Sequence, residues 1–89
     1  MSEHLHAIMD RNIFNLKLTV EATSAYIIVT AVMGENVHPT REVIRAKWNK
    51  DDRDLEAALS ELMDRGVLQH RTGLDGADLY YPNPSSLWR

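Results

Sequence analysis

The chain has 89 residues, of which 44 % are hydrophobic and 26 % charged, with a formal charge of −3 at pH 7; this is the composition of one ordinary globular domain. A chain of this size buries roughly 60 to 65 % of its unfolded surface, so a single small core is expected. The acidic balance argues against a strongly basic, non-specific nucleic-acid binder, and the absence of cysteine excludes disulfides, thiolate metal sites and cysteine nucleophiles and fits a reducing cytoplasm.

No apolar run approaches the roughly 18 residues needed to span a bilayer, and the opening MSEHLHAIMDR is too polar for a signal peptide. Residues 1–19 form an arm or an extra N-terminal helix. Within it Leu5, Ile8 and Met9 fall at helical spacing, giving a narrow apolar stripe. His4 and His6 share a face only on a strand. No carboxylate or thiolate sits at ligand spacing from them, so no metal or cofactor is expected. Over Asn12–Thr19, the alternation of Phe14, Leu16 and Leu18 suits an extended piece. The adjacent Ile13 and Phe14 suit a helix, and both readings stay open.

Val20 to Met33 is predicted to be the first core helix. Ala22, Ala25, Tyr26, Val29, Val32 and Met33 follow helical spacing, and Ile27, Ile28 and Ala31 widen the stripe to nearly the whole circumference. A helix apolar all round is covered on more than one side. The β-branched run Ile27-Ile28-Val29-Thr30 makes a buried strand the competing reading, but length and recurring alanine favour helix. Gly34 is expected to end it.

Val37-His38-Pro39 is an extended connector, because the residue before proline avoids the α region. Thr40 is a good N-cap. In the short helix that follows, Val43, Ile44 and Trp48 face the core, while Arg41, Arg45 and Lys47 face out. Trp48-Asn49-Lys50 breaks the pattern. Asp51 is expected to cap a third helix with Asp52 and Asp54 in its first turn, where carboxylates complement the helix dipole. Leu55, Ala58, Leu59, Leu62 and Met63 make its buried stripe, Arg65 lies in its last turn, and Gly66 closes it. Two apolar-periodic segments joined by a short polar break have the form of a helix-turn-helix. Val67–Thr72 and Ala77–Pro82 then read as a β-hairpin with Asp75-Gly76 in its tip. The tail, residues 83–89, carries Trp88, which either packs back on the domain or is exposed for a partner.

The connector and helix HPTREVIRAKW, the run LEAALSELMDRGVLQ and the hairpin HRTGLDGADLYY together resemble the winged helix-turn-helix superfamily over about residues 34–82. The resemblance implies an α+β fold: a three-helix core over residues 20–82 with a C-terminal β-hairpin wing and, in some members, an extra terminal helix used for pairing. It also implies a small transcriptional regulator that binds double-stranded DNA through the third helix and wing. Arg41, Arg45, Lys47, Lys50, Arg53 and Arg71 are the candidate DNA contacts. A homodimer through the N-terminal segment and the first core helix fits the same picture.

The third helix departs from that picture. Its outward positions, Asp51, Asp52, Arg53, Asp54, Glu56, Ala57, Ser60 and Glu61, are mostly acidic, and duplex DNA carries one negative charge per roughly 1.7 Å of axis. In the wing, Asp75 and Asp78 are expected to counter Arg71. The alternative is therefore a protein-interaction adaptor in which Asp52, Glu56, Ser60 and Glu61 meet a basic partner. Nothing points to an enzyme. The serines lack a histidine–carboxylate constellation and a nucleophile elbow, and there is no glycine-rich phosphate loop.

Overall fold

A computed structural model describes residues 9–89. The helix expected over residues 2–11, with its two histidines, falls largely outside the described residues. The elements run in the order 3-10 helix Arg11–Asn15, α1 Val20–Gly34, α2 Arg41–Lys47, α3 Asp52–Asp64, β1 Leu68–Thr72, β2 Asp78–Pro82 and 3-10 helix Ser85–Leu87. Three helices followed by a two-stranded antiparallel hairpin are the expected α+β, winged-helix-like arrangement. No helix among the described residues is long and apolar enough to cross a membrane.

The core forms where the helices meet the root of the hairpin. Tyr26 and Val29 of α1, Ile44 of α2, Leu55, Leu59 and Leu62 of α3, and Val67, Leu68 and Tyr80 of the hairpin are all buried. Helix α1 packs most extensively on α3. Side chains Thr19 and Thr40 cap α1 and α2 by accepting from Ala22 N and Val43 N, which satisfies a donor that the first turn leaves open. Asp51 occupies the N-cap position of α3, but its side chain makes no capping hydrogen bond. Its carbonyl instead receives the Trp48 indole N–H at 3.1 Å, as well as the backbone N–H groups of Asp54 and Leu55. Trp48 thus pins the turn between α2 and α3 while packing against the core.

The open segment before α1 is neither a strand nor a continuous α-helix. Asp10 accepts from Asn12 N and from Ile13 N, which winds Arg11–Asn15 into a 3-10 helix. The tighter winding puts Ile13 in the core and leaves Phe14 exposed. Asp10 N also donates to the Tyr26 hydroxyl at 3.0 Å, so this segment is tied to α1, and burial pushes the Tyr26 phenol above its ordinary pKa.

Helix α1 continues through Gly34, and the left-handed residue that closes it is Asn36, at φ 61°. Asn36 N bonds Met33 O and Val37 N bonds Val32 O, the crossed pair that satisfies the last free carbonyls of a helix. Gly66, at φ 72°, makes the same closure of α3 through Met63 O and Leu62 O.

The hairpin register pairs Leu68 with Pro82 and Thr72 with Asp78. Its tip is held by Asp75, whose carboxylate accepts from Ala77 N. Ahead of α2 the chain adds one bridge to the hairpin, Thr40 with Leu79, supported by Tyr80 N bonding Pro39 O. The tail folds back: Trp88 meets Tyr26 edge to face at 5.7 Å between ring centroids and donates its indole N–H to Asn83 O. Arg65 gathers the tail and the pre-α1 segment, donating to the carbonyls of Arg89 and Leu16.

Candidate nucleic-acid interface

Helix α3 turns about 100° per residue, and that period sorts its outer residues into three strips. With Leu55, Ala58, Leu59 and Leu62 in the core, the positions directly opposite are Arg53, Ala57, Ser60 and Asp64. All four are exposed. Asp52 and Glu56 lie on the flank towards α2, and Asp54 and Glu61 lie on the other flank.

The flanking carboxylates are engaged within the domain. Glu56 pairs with Arg41, and Asp52 Oδ1 lies 3.1 Å from Arg45 Nε. Two rungs therefore join the helices of the helix-turn-helix. Glu61 points towards the start of α1, accepting from Thr19 N at 3.0 Å and from Thr19 Oγ1 at 2.7 Å. It is half-buried, unlike the outward position expected from sequence. Thr19 is itself the cap of α1, so one carboxylate of α3 fixes the N-terminus of another helix.

The candidate cations divide in the same way. Lys47 lies 3.6 Å from Glu35, and Lys50 bonds Glu21 at 2.9 Å. The hydrogen bond from Lys50 and its positive charge hold the Glu21 carboxyl below its ordinary pKa, and the same contact raises that of Lys50. With Arg41 and Arg45 of α2 paired to α3, four of the six candidate DNA contacts are ion-paired. Ion pairs this exposed contribute little to stability, so competing charges exchange with them readily. Arg53 forms no ion pair among the described residues.

The wing also departs from expectation. Asp78 bonds the His70 ring at 2.8 Å, and Asp75 is used in the turn. Neither neutralises Arg71, whose guanidinium donates to Gln69 and lies 6.0 Å from the centre of the Tyr81 ring. Arg71 thus keeps most of its five donors for other use. The Tyr81 hydroxyl in turn lies 2.7 Å from His38 Nδ1.

The outer surface of α2, α3 and the wing is therefore a frame of internal ion pairs around a strip that begins at Arg53 and runs through two small residues, Ala57 and Ser60. Sequence reasoning named each of these residues but grouped the strip with the acidic flanks. The helical period alone could have separated them. The Glu61–Thr19 contact joins residues 42 positions apart and has no sequence signal. Among the described residues, no three His, Asp or Glu side chains are grouped to hold a metal ion. No protein-family model matches the chain, and neither a curated protein nor a solved structure resembles it significantly.

Proposed function

We propose that the chain is a DNA-binding domain of the winged helix-turn-helix kind that reads base edges with the Arg53–Ala57–Ser60 strip of α3. The observation that carries this reading is the sideways engagement of Asp52, Glu56 and Glu61, which leaves a cation and two small side chains at the N-terminal and central part of the outer face. The N-terminal part of the second helix of the motif is what approaches base edges in such domains. An arginine suits the two acceptors of guanine, and an alanine suits the thymine methyl. Arg71 serves the flanking backbone from the wing. Arg41, Arg45, Lys47 and Lys50 join it by exchanging carboxylate partners for phosphates.

With so few unpaired cations, binding depends on base contacts more than on charge. At most five phosphate contacts, from Arg71 and the four exchanging cations, give a plot of log affinity against log salt with a slope no steeper than about −4.5. The test is selection from a randomised duplex library, followed by fluorescence anisotropy on the selected site at about 20 and about 200 mM salt, a range over which phosphate contacts lose much of their affinity. Arg53→Ala is expected to cost about 1 to 3 kcal/mol and to relax sequence preference at one position; Arg71→Ala weakens binding more evenly.

The adaptor reading rests on the surplus of carboxylates between Arg41 and Asp64, seven against five cations. It expects no site to emerge from the selection and no duplex binding at either salt. That result, or binding indifferent to both arginine substitutions, would remove the DNA assignment.

A further inference from the structure

Helix α1 is buried on one side only. Its 15 residues include one charged side chain, Glu21. Opposite the core lie Val20, Ser24, Ile27 and Ala31, at i, i+4, i+7 and i+11. Val20 is 73 % exposed and Ile27 40 %; Ala31 is exposed, and Ser24 and Ile28 are half-buried. This four-three-four spacing is that of a helix seam that meets one other helix. It differs from the broad stripe on the buried side of the same helix, and no described residue covers it.

We propose that this seam is an isologous dimer contact, in which α1 pairs antiparallel with α1 of a second copy of the chain. Three features point to a second copy as the occupant. A two-fold axis between positions 24 and 27 sets Val20 against Ala31 of the second copy and Ser24 against its Ile27. Every larger apolar side chain then faces a small one, which is the self-complementarity that an isologous contact requires. The strip itself carries no charge, as expected at the centre of an interface.

The flanking charges suit the same axis. The Glu21–Lys50 pair sits at the start of α1 and the Glu35–Lys47 pair at its end. Antiparallel pairing brings the first cluster of one copy to the second cluster of the other. Each glutamate arrives with its own lysine, so two neutral pairs meet rather than two like charges. A contact built on four seam positions is small beside the roughly 1,200 Å² of stable assemblies, so the dimer is weak and concentration-dependent. The proposal rests on the apolar seam and is tested without DNA, where the Lys47–Glu35 and Lys50–Glu21 pairs are intact.

Sedimentation equilibrium of the full chain over about 10 µM to about 1 mM, a range that covers weak self-association, should show the mass rising from 10.2 kDa towards twice that value. Ile27→Glu should hold it at the monomer mass with an unchanged circular dichroism spectrum. Val20→Glu, at the most exposed seam position, should do the same if Ile27→Glu disturbs folding.

The chain has no cysteine, so introduced thiols report the register directly. A mixture of Val20→Cys and Ala31→Cys chains should cross-link on mild oxidation. Val20→Cys alone should not, because the two-fold separates the two copies of that position by roughly 16 Å along the helices. A monomer at every concentration would overturn the proposal, as would association unaffected by both glutamate variants. Efficient cross-linking of Val20→Cys with itself would replace the antiparallel arrangement with a parallel one and so overturn it too.

Discussion

Helices α1 and α3 share a core, yet the faces they turn away from it have opposite chemistry. Helix α1 shows Val20, Ser24, Ile27 and Ala31 on its outer side, with Glu21 its one charge. Helix α3 shows Arg53, Ala57, Ser60 and Asp64, flanked by carboxylates held in ion pairs and hydrogen bonds. The inner faces are alike because both answer the same demand for apolar burial. The outer faces are free of that demand, so their difference bears on what each one meets. An apolar seam suits another protein surface, and a polar strip whose arginine makes no ion pair among the described residues suits a polar target.

Substitutions on the two sides of these helices should separate stability from association. The largest effect is expected at the shared interface. Leu59→Ala removes a side chain that is 1 % exposed and should lower unfolding free energy by about 2 to 5 kcal/mol in urea titrations. Outer-face changes such as Ser60→Ala should stay within about 0.5 kcal/mol. A loss at Ser60 equal to that at Leu59 would erase the distinction between the faces.

The two helix ends sharpen the comparison next. Both closing residues are left-handed, Gly66 at φ 72° and Asn36 at φ 61°. A Cβ on Gly66 would also run into the carbonyl oxygen of Leu87. Gly66→Ala should therefore cost about 2 to 4 kcal/mol, combining the left-handed backbone penalty with overpacking against the tail. Asn36→Gly should cost less than that, since glycine adopts this conformation without strain. Thermal melts of the two variants, read against the parent, decide whether the tail contact makes the difference.

A smaller loss is expected where the helices are bonded end to side. Glu61→Gln keeps the shape but weakens a charged acceptor for two donors from Thr19, at a cost of about 1 kcal/mol. Glu56→Gln, at an exposed ion pair, should cost less than that, and its effect should fade with added salt.

The smallest effect is electrostatic. The Glu21 pKa is lowered by its hydrogen bond from Lys50, so this carboxylate stabilises the fold above the ordinary glutamate range. The contribution is lost as pH falls through the depressed value. On the lysine side the raised pKa means a contribution present below the ordinary lysine range and lost as pH rises through the raised value. An NMR titration should find Glu21 below the usual range in the parent chain and closer to it in Lys50→Gln, where its backbone hydrogen bond remains. Glu21 titrating the same in both chains would show that Lys50 does not hold it.

Much of the framework was legible because it depends on local chemistry and on period. Thr40 before an apolar-periodic run, Gly66 after one, and Asp75-Gly76 between two strand-like runs each act within a few residues. The misreadings have equally local causes. Gly34 was expected to close α1, but glycine is also tolerated inside a helix. The left-handed position fell to Asn36, one of the other residues that accepts it. Asp51 had the identity of a capping residue, yet the Trp48 indole claimed its carbonyl and the side chain made no cap. Asp78 looked like the partner of Arg71, but the register set it beside His70 instead.

By itself the sequence determined the order of the three α-helices and the hairpin and the inner faces of α1 and α3, because burial and turn geometry are written in residues close along the chain. Only the tertiary structure decided which charges neutralise one another and which stay available. Arg41 reaches Glu56, Lys50 reaches Glu21, and Glu61 reaches Thr19, over separations that no period spans. A charge is local to its residue, but its partner is chosen by packing. Which candidate cations pair within the domain, and that Arg53 and Arg71 make no ion pair among the described residues, was therefore decided only once the helices were placed side by side.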